Sequence, residues 1–170
     1  MLLQRTRAQR VDKLYRKIFD KYPTVEGFAR ADIQELTDDL AGIGLYRLKA
    51  RRVQELARII LRRYGGRVPR TKEELLELPG VGVYTAEIVL AVSFGHDVLA
   101  VDVNVARPFK RMGLAMDDKE VKSLLLHEIP RGQRTAFSKI LLEFGMTICK
   151  PVKPLCVKCP VADLCDYSAP

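Results

Sequence analysis

Four cysteines lie within the last 22 residues of the chain, at Cys149, Cys156, Cys159 and Cys165. Four thiolates so close together suit either a structural zinc ion or a [4Fe–4S] cluster. Zinc ribbons usually pair two C-x2-C knuckles, whereas the spacing here is C-x6-C-x2-C-x5-C, with proline in the uneven loops. A secreted disulfide framework would spread its cysteines along the chain and would follow a signal peptide, which the N-terminus lacks. The spacing therefore predicts a four-cysteine metal centre.

The second candidate is the stretch LPGVGVY, Leu78 to Tyr84, which interrupts a helical pattern with one proline and two glycines. Glycine allows a positive φ and lets a phosphate approach the backbone closely, so Gly80 and Gly82 predict a tight turn between two helices. The N–H groups of the turn and of the following helix converge where the helix dipole also favours an anion. Any helix–helix corner could use Gly-x-Gly, but the longer string through the following Thr-Ala is typical of a phosphate-anchoring helix-hairpin-helix.

The third candidate is Asp102, which lies between β-branched residues just before a predicted helix. It could be an N-cap, but Asn104 could serve that role as well, which would leave Asp102 without a structural duty. Asp102 follows Tyr84 by 18 residues, about one helix and a return loop. We therefore expect its carboxylate to face the mouth between the hairpin and the next helix. In a semi-apolar cleft it could stabilise a developing cation or activate water.

The elements that must position these residues are helical nearly throughout, because apolar residues recur at helix spacing in most of the chain. Short breaks separate the segments at Pro23-Thr24, Gly42-Ile43-Gly44, Gly65-Gly66 and Val68 to Thr71. Thr71 and Glu74 have the spacing of a capping box. The best strand-like run, Asp97 to Val103, is brief and contains two aspartates. The pattern predicts an all-α protein with nine or ten helices.

The charge of the chain is uneven along its length. The formal net charge is +8, and residues 1–72 carry 18 Lys/Arg against 8 Asp/Glu, whereas residues 73–170 carry 11 against 13. A basic half predicts a polyanionic partner, nucleic acid before anionic membrane, although a solvated basic surface would look the same. No apolar run reaches the roughly 18 residues of a membrane span, and no targeting signal is present, so we expect a cytoplasmic protein.

These three motifs, in this order and spacing, resemble the helix-hairpin-helix DNA glycosylases related to endonuclease III, over essentially the whole chain. The resemblance implies an all-α fold in two lobes, a six-helix lobe over 8–98 and a lobe over 99–170 plus 1–7 that holds a [4Fe–4S] cluster. It implies that the four cysteines bind this cluster. It also implies a nucleoid-associated, prokaryotic monomer that flips a damaged or mismatched base out of double-stranded DNA and cleaves its N-glycosidic bond.

The resemblance assigns Tyr84 and Asp102 to catalysis. In the endonuclease III type, a lysine at the place of Tyr84 attacks the sugar as a Schiff-base nucleophile. A phenol with a pKa of about 10 cannot form an imine. The tyrosine, together with GGRVPR at 65–70, resembles archaeal thymine-DNA glycosylases and predicts hydrolysis of T or U opposite G without strand cleavage. The alternatives are an adenine glycosylase for A·G mispairs, an endonuclease III-like glycosylase/lyase, and a non-catalytic DNA-binding module.

Further DNA contacts carry over from the same resemblance. Gln4 matches the glutamine that fills the hole left by the flipped base, and Leu45 matches the wedge on the opposite strand. Gln4 could equally be a surface residue and Leu45 a core leucine. The basic residues that follow are plausible phosphate or orphan-guanine contacts, or a solvated helix face: Arg47, Lys49, Arg51 and Arg52.

Two departures from the family pattern accompany these matches. The family glutamate four residues before the Gln4 position would fall before Met1, as would the first helix. Either the sequence is part of a longer chain or the protein works without that acid. Pro108 falls in what should be the first turn after Asp102, where it is tolerable only at position N1.

Overall fold

The computed structural model describes residues 2, 6 and 8–168, which divide into two compact units, Met1–Ala86 and Glu87–Pro170. Nine α-helices and no strand occur in this described part of the chain. The all-α prediction is confirmed, and the strand-like run from Asp97 is a loop that leads into a helix. The lobe boundary after residue 98 stays a prediction.

The first unit contains helices α1 to α5 and the start of α6. Their bounds are α1 Ala8–Lys21, α2 Val25–Arg30, α3 Ile33–Asp39, α4 Tyr46–Tyr64, α5 Lys72–Leu76 and α6 Val83–Phe94. Helix α4 packs against α2 and α3. The core buries one face of α1 and the ends of α3, with Ile18, Leu36 and Leu40 almost inaccessible. Burying each of these side chains contributes about 1.5–3 kcal/mol, so this packing outweighs helix propensity as the source of stability.

Three of the four predicted breaks in the first unit are confirmed as helix caps. Thr24 caps α2, and its hydroxyl accepts the N–H of Gly27 at 3.2 Å. Gly65 ends α4 with a φ of 58°, a conformation that favours glycine. In the capping box, Thr71 Oγ1 accepts the N–H of Glu74 at 3.3 Å and donates to its carboxylate at 2.7 Å. Local side-chain chemistry therefore sets where these helices begin and end.

The second unit contains the rest of α6 and three helices: α7 Val103–Arg111, α8 Asp118–Glu128 and α9 Arg134–Thr147. Helix α7 packs against both α8 and α9. The hydrophobic core of this unit is formed by Leu99, Val105, Ala106, Ala115, Val121 and Leu125. Three single-turn 3-10 helices follow α9, at Cys156–Lys158, Ala162–Leu164 and Asp166–Ser168.

Pro108 lies inside α7, and the expectation that it falls in the first turn is wrong. Proline has no N–H, so the carbonyl of Asn104, four residues earlier, loses its helical donor. Gly145 of α9 packs against that carbonyl: a Cβ built on this glycine would overlap the Asn104 oxygen and lie 2.8 Å from its carbonyl carbon. Pro108 is therefore tolerated because α9 presents Gly145, which has no side chain, at the point where it packs against α7.

Candidate functional site

The LPGVGVY stretch forms the predicted helix-turn-helix. Helix α5 ends at Leu76, and α6 begins at Val83. The turn is closed by the N–H of Val81, which donates to the carbonyl of Leu78 at 3.1 Å, and Gly80 has a φ of 77°. The carbonyl of Gly82 accepts the N–H of Ala86 at 2.9 Å, which starts the helix. No acidic side chain lies in the first turn of α6, so its dipole favours an anion at this end.

The first glycine break leads into Leu45. Gly42 has a φ of 98°, and Leu45 itself has a φ of 60° just before α4. A left-handed conformation costs a leucine about 1–2 kcal/mol. Its side chain is 47% exposed, so the core-leucine interpretation is wrong. The neighbouring Arg47 is exposed, with its guanidinium 5.6 Å from the ring centroid of Tyr46. Gln4 lies outside the described residues.

Lys49 was expected among the DNA contacts, and the structure contradicts this. The residue is 3% exposed. Its ammonium donates to the carbonyl oxygen of Leu2 at 2.7 Å and to the hydroxyl of Thr6 at 2.9 Å. Burial lowers the pKa of this ammonium below its usual range. The Lys49 ammonium therefore binds Leu2 and Thr6 and does not present its charge at the surface.

Tyr84 is the second residue of α6, directly after the hairpin, and is partly buried. It belongs to the first unit by packing, whereas Asp102 belongs to the second. Tyr84 therefore lies in the first turn of α6, where the free backbone N–H groups favour an anion.

Asp102 is the N-cap of α7, so the choice that the sequence left open between Asp102 and Asn104 falls to Asp102. One carboxylate oxygen accepts the N–H groups of Asn104 and Val105, both at 2.9 Å. The other oxygen accepts the side-chain amide of Asn104, also at 2.9 Å. Three donors hold the carboxylate in one orientation while it stays partly accessible. A fixed carboxylate of this kind can stabilise positive charge without reorganising.

The carboxylate is linked to the first cysteine through side chains of α7. The side-chain oxygen of Asn104 accepts from Arg107 Nη2 at 3.1 Å. Arg107 also donates to the carbonyl of Gly145 at 2.5 Å and to the carbonyl of Cys149 at 2.7 Å. The start of α7 and the start of the cysteine segment are therefore joined by hydrogen bonds within one unit.

All four cysteines line one cavity, with about 280 Å³ of space including the part open to solvent. They form no disulfides, and Arg111 Nη1 donates to the Cys149 sulfur at 3.3 Å. No group of three or more His, Cys, Asp or Glu among residues 2, 6 and 8–168 is arranged to hold a metal ion. Four cysteine thiolates are the donor set of a [4Fe–4S] cluster, in which each thiolate binds a different iron.

The polypeptide around the cavity has little packing of its own. No residue from 149 to 167 is buried, and Val152, Val157 and Leu164 are more than two-thirds exposed. Arg111 covers one side, with its guanidinium 4.3 Å from the ring centroid of Tyr167 and a bond to the carbonyl of Lys150 at 2.8 Å. The segment is held by these contacts and by what its thiolates bind.

Asn104, Arg107 and Arg111 are site residues that the sequence interpretation missed. Their spacing of three and four residues places them on one face of α7. That periodicity of polar side chains, directly after a predicted catalytic aspartate, was the signal that could have identified them.

No helix in the same described part of the chain is long and apolar enough to cross a bilayer.

Comparisons with known proteins identify a family for the helical part of the chain and another for the cysteine segment. Residues 1–131 match the family of HhH-GPD superfamily base excision DNA repair proteins, and residues 149–165 match the iron–sulfur binding domain of endonuclease III. Endonuclease III of Thermotoga maritima is 40% identical over 169 residues, which cover 98% of this chain and 79% of the relative. The thymine/uracil-DNA glycosylase of Methanothermobacter thermautotrophicus is 38% identical over 173 residues, with 98% and 78% covered. A solved trapped endonuclease III–DNA covalent intermediate has a TM-score of 0.93 at 37% identity, over 98% of this chain and 80% of that one.

Proposed function

Because the chain belongs to the HhH-GPD superfamily of base excision DNA repair proteins, we propose which bond it cleaves and how. It is a DNA glycosylase of the endonuclease III family and has a [4Fe–4S] cluster. The proposed substrate is thymine or uracil mispaired with guanine in double-stranded DNA. The proposed reaction is hydrolysis of the N-glycosidic bond by a monomer in the cytoplasm, at the nucleoid, without strand cleavage.

The observation that carries this proposal is a tyrosine in the first turn of α6. The relative named endonuclease III and the relative named thymine/uracil-DNA glycosylase are almost equally similar, so overall identity does not separate them. A lysine amine at this place could form an imine with the sugar, and the phenol of Tyr84 cannot. Water is then the nucleophile, and the product is an abasic site in an intact strand.

Asp102 supplies the electrostatic part of the proposed mechanism. As the bond between C1′ and the base nitrogen breaks, positive charge develops on the sugar, and a carboxylate stabilises it. The base leaves with the bonding electrons, water adds to C1′, and the proton that the water loses passes to the carboxylate or to the departed base. The three hydrogen bonds to Asp102 keep the carboxylate oriented throughout. When bound, the cluster ties the cysteine segment together by thiolate ligation.

The test is a panel of duplexes with G·T, G·U, A·G or thymine-glycol sites, each assayed with and without alkali. We expect abasic product from G·T and G·U, and strand breaks only after alkali. Product from A·G alone would establish the adenine glycosylase alternative. Strand cleavage without alkali that is lost in Tyr84→Phe would establish a lyase. Tight binding with no product from any duplex would leave only a binding module.

The phosphate-anchoring role of the hairpin is tested by two glycine substitutions. Gly80→Ala places a side chain at a φ of 77° and is expected to lower the free energy of unfolding by about 1–2 kcal/mol. Gly82→Ala has no atom within 4 Å of the new methyl group and should leave stability unchanged. We expect Gly82→Ala to weaken duplex binding about tenfold, because the methyl group keeps a phosphate from the backbone N–H groups. Fluorescence anisotropy and thermal unfolding measure the two effects, and unchanged affinity of Gly82→Ala would contradict the anchor.

A further inference from the structure

Arg111, the last residue of α7, binds the first cysteine and the two residues that follow it. Its Nη1 donates to the Cys149 sulfur at 3.3 Å and to the carbonyl of Lys150 at 2.8 Å. Its Nη2 donates to the carbonyl of Pro151 at 3.1 Å. A guanidinium carries its N–H donors in one rigid plane, so a single side chain can make all three bonds together. The cation is therefore fixed at the wall of the cavity that all four cysteines line.

The residues after the last cysteine hold the other face of the same guanidinium. The Tyr167 ring, two residues after Cys165, has its centroid 4.3 Å from the central carbon of Arg111. The turn after α7 comes equally close to this end of the segment. Gly113 has a φ of 71°, and a Cβ built on it would lie 2.5 Å from the Asp166 carboxylate. One cation thus lies between the first cysteine and the residues that follow the last one.

We propose that Arg111 raises the potential at which the bound [4Fe–4S] cluster gives up an electron, and so protects the cluster from oxidants. Hydrogen bonds to the ligand sulfurs and nearby charges are among the factors that set the potential of such clusters. With four thiolates, a [4Fe–4S]²⁺ cluster is doubly negative, and the loss of one electron leaves it singly negative. A cation bonded to a ligand sulfur stabilises the more negative state and therefore opposes electron loss.

This role goes beyond cleavage of the glycosidic bond, because it does not depend on which base the enzyme releases. It also differs from a structural role. The bonds to the carbonyls of Lys150 and Pro151 hold the polypeptide whatever the charge of the donor. The bond to the Cys149 sulfur is the one through which the charge of Arg111 acts on the cluster. Removal of the charge while donors are kept therefore separates the two roles.

The main variant is Arg111→Gln, which keeps N–H donors and removes the charge. Arg111→Lys keeps the charge and is the rescue variant. Arg134→Gln is the matched control, because Arg134 is also partly buried in the second unit. Its guanidinium donates to the carbonyls of Leu126 at 3.1 Å and Ile129 at 3.4 Å, which do not belong to the cysteine segment.

Two measurements on cluster-loaded protein test the proposal. Protein-film voltammetry gives the midpoint potential for loss of one electron. For Arg111→Gln we expect a midpoint lower by about 59 mV, which is a tenfold higher ratio of oxidised to reduced cluster at the same applied potential. Ferricyanide accepts the same electron in solution, and we expect the visible absorbance of the cluster to disappear faster in this variant than in wild type. We expect Arg111→Lys and Arg134→Gln to retain wild-type values in both measurements.

An Arg111→Gln protein with full iron content and the wild-type midpoint would overturn the proposal. An equal shift in Arg134→Gln would overturn it as well, because any lost cation would then have the same effect. If Arg111→Gln and Arg111→Lys both take up no iron, Arg111 is required for assembly of the cluster, and the tuning role is wrong. If only Arg111→Lys takes up iron and has the wild-type midpoint, the charge of residue 111 is what the cluster needs, as proposed.

Discussion

Replacement of Asp102 by asparagine is expected to lower the single-turnover rate of base release about a thousandfold while the fold is kept. Asparagine is as good an N-cap as aspartate, so the N–H groups of Asn104 and Val105 keep an acceptor. What is lost is the negative charge that would stabilise the sugar cation. Rates on a G·U duplex, duplex affinity and the thermal unfolding midpoint check the three parts of this expectation.

Asp117 offers the matched control for this substitution. It caps α8 in the same way, accepting the N–H groups of Lys119 at 2.7 Å and Glu120 at 2.9 Å, in the same unit. Asp117→Asn should therefore leave the rate within about twofold of wild type. An Asp102→Asn enzyme that works at the wild-type rate, or an Asp117→Asn enzyme that is equally slow, would remove Asp102 from the mechanism.

Gly145→Ala is expected to cause the largest loss of stability from a single methyl group. The new Cβ would overlap the carbonyl oxygen of Asn104, which belongs to the backbone and cannot rotate away. Helix α9 would have to separate from α7, which strains the bond from Arg107 to the carbonyl of residue 145. We expect a loss of about 3 kcal/mol, the upper part of the range for overpacking. Thermal unfolding followed by circular dichroism and by iron release measures it.

The control is another helical glycine with ordinary contacts. A Cβ at Gly27 in α2 would lie 3.5 Å from the nearest atom, the Cα of Tyr22, which is normal van der Waals separation. Gly27→Ala should raise the free energy of unfolding by about 0.5–1 kcal/mol, because glycine loses more backbone entropy on folding than alanine. If Gly145→Ala is as stable as Gly27→Ala, the close crossing of α7 and α9 does not exist.

The sequence predicted the features of this fold that depend on neighbours along the chain. The hairpin at 78–83, the end of α4 at Gly65 and the capping box at Thr71 all follow from the φ range of glycine and from side chains that accept nearby N–H groups. These rules act over three or four residues, so one sequence suffices. The grouping of the four cysteines was predictable for a similar reason, because their ligand spacing lies within 17 residues.

Features that depend on distant segments were predicted poorly. Lys49 lies among basic residues, and its neighbours along the chain do not indicate that it is buried. Its burial depends on the contact with Thr6, which is distant in the sequence. The choice between Asp102 and Asn104 as N-cap was open because both residue types cap helices well. Pro108 looked misplaced because its compensation, a glycine on another helix, lies 37 residues further along the chain.

Residues 149–167 contain short single-turn helices and no buried side chain. Its folding free energy must therefore come mainly from metal ligation, which is absent in an unfolded chain. Oxidants or iron starvation would act on this segment as a denaturant does on an ordinary domain, because they remove the metal ligation that keeps it folded. Proteases would then meet an extended segment, so we expect the lifetime of the enzyme to depend on the supply of iron and sulfide as well as on its amino-acid sequence.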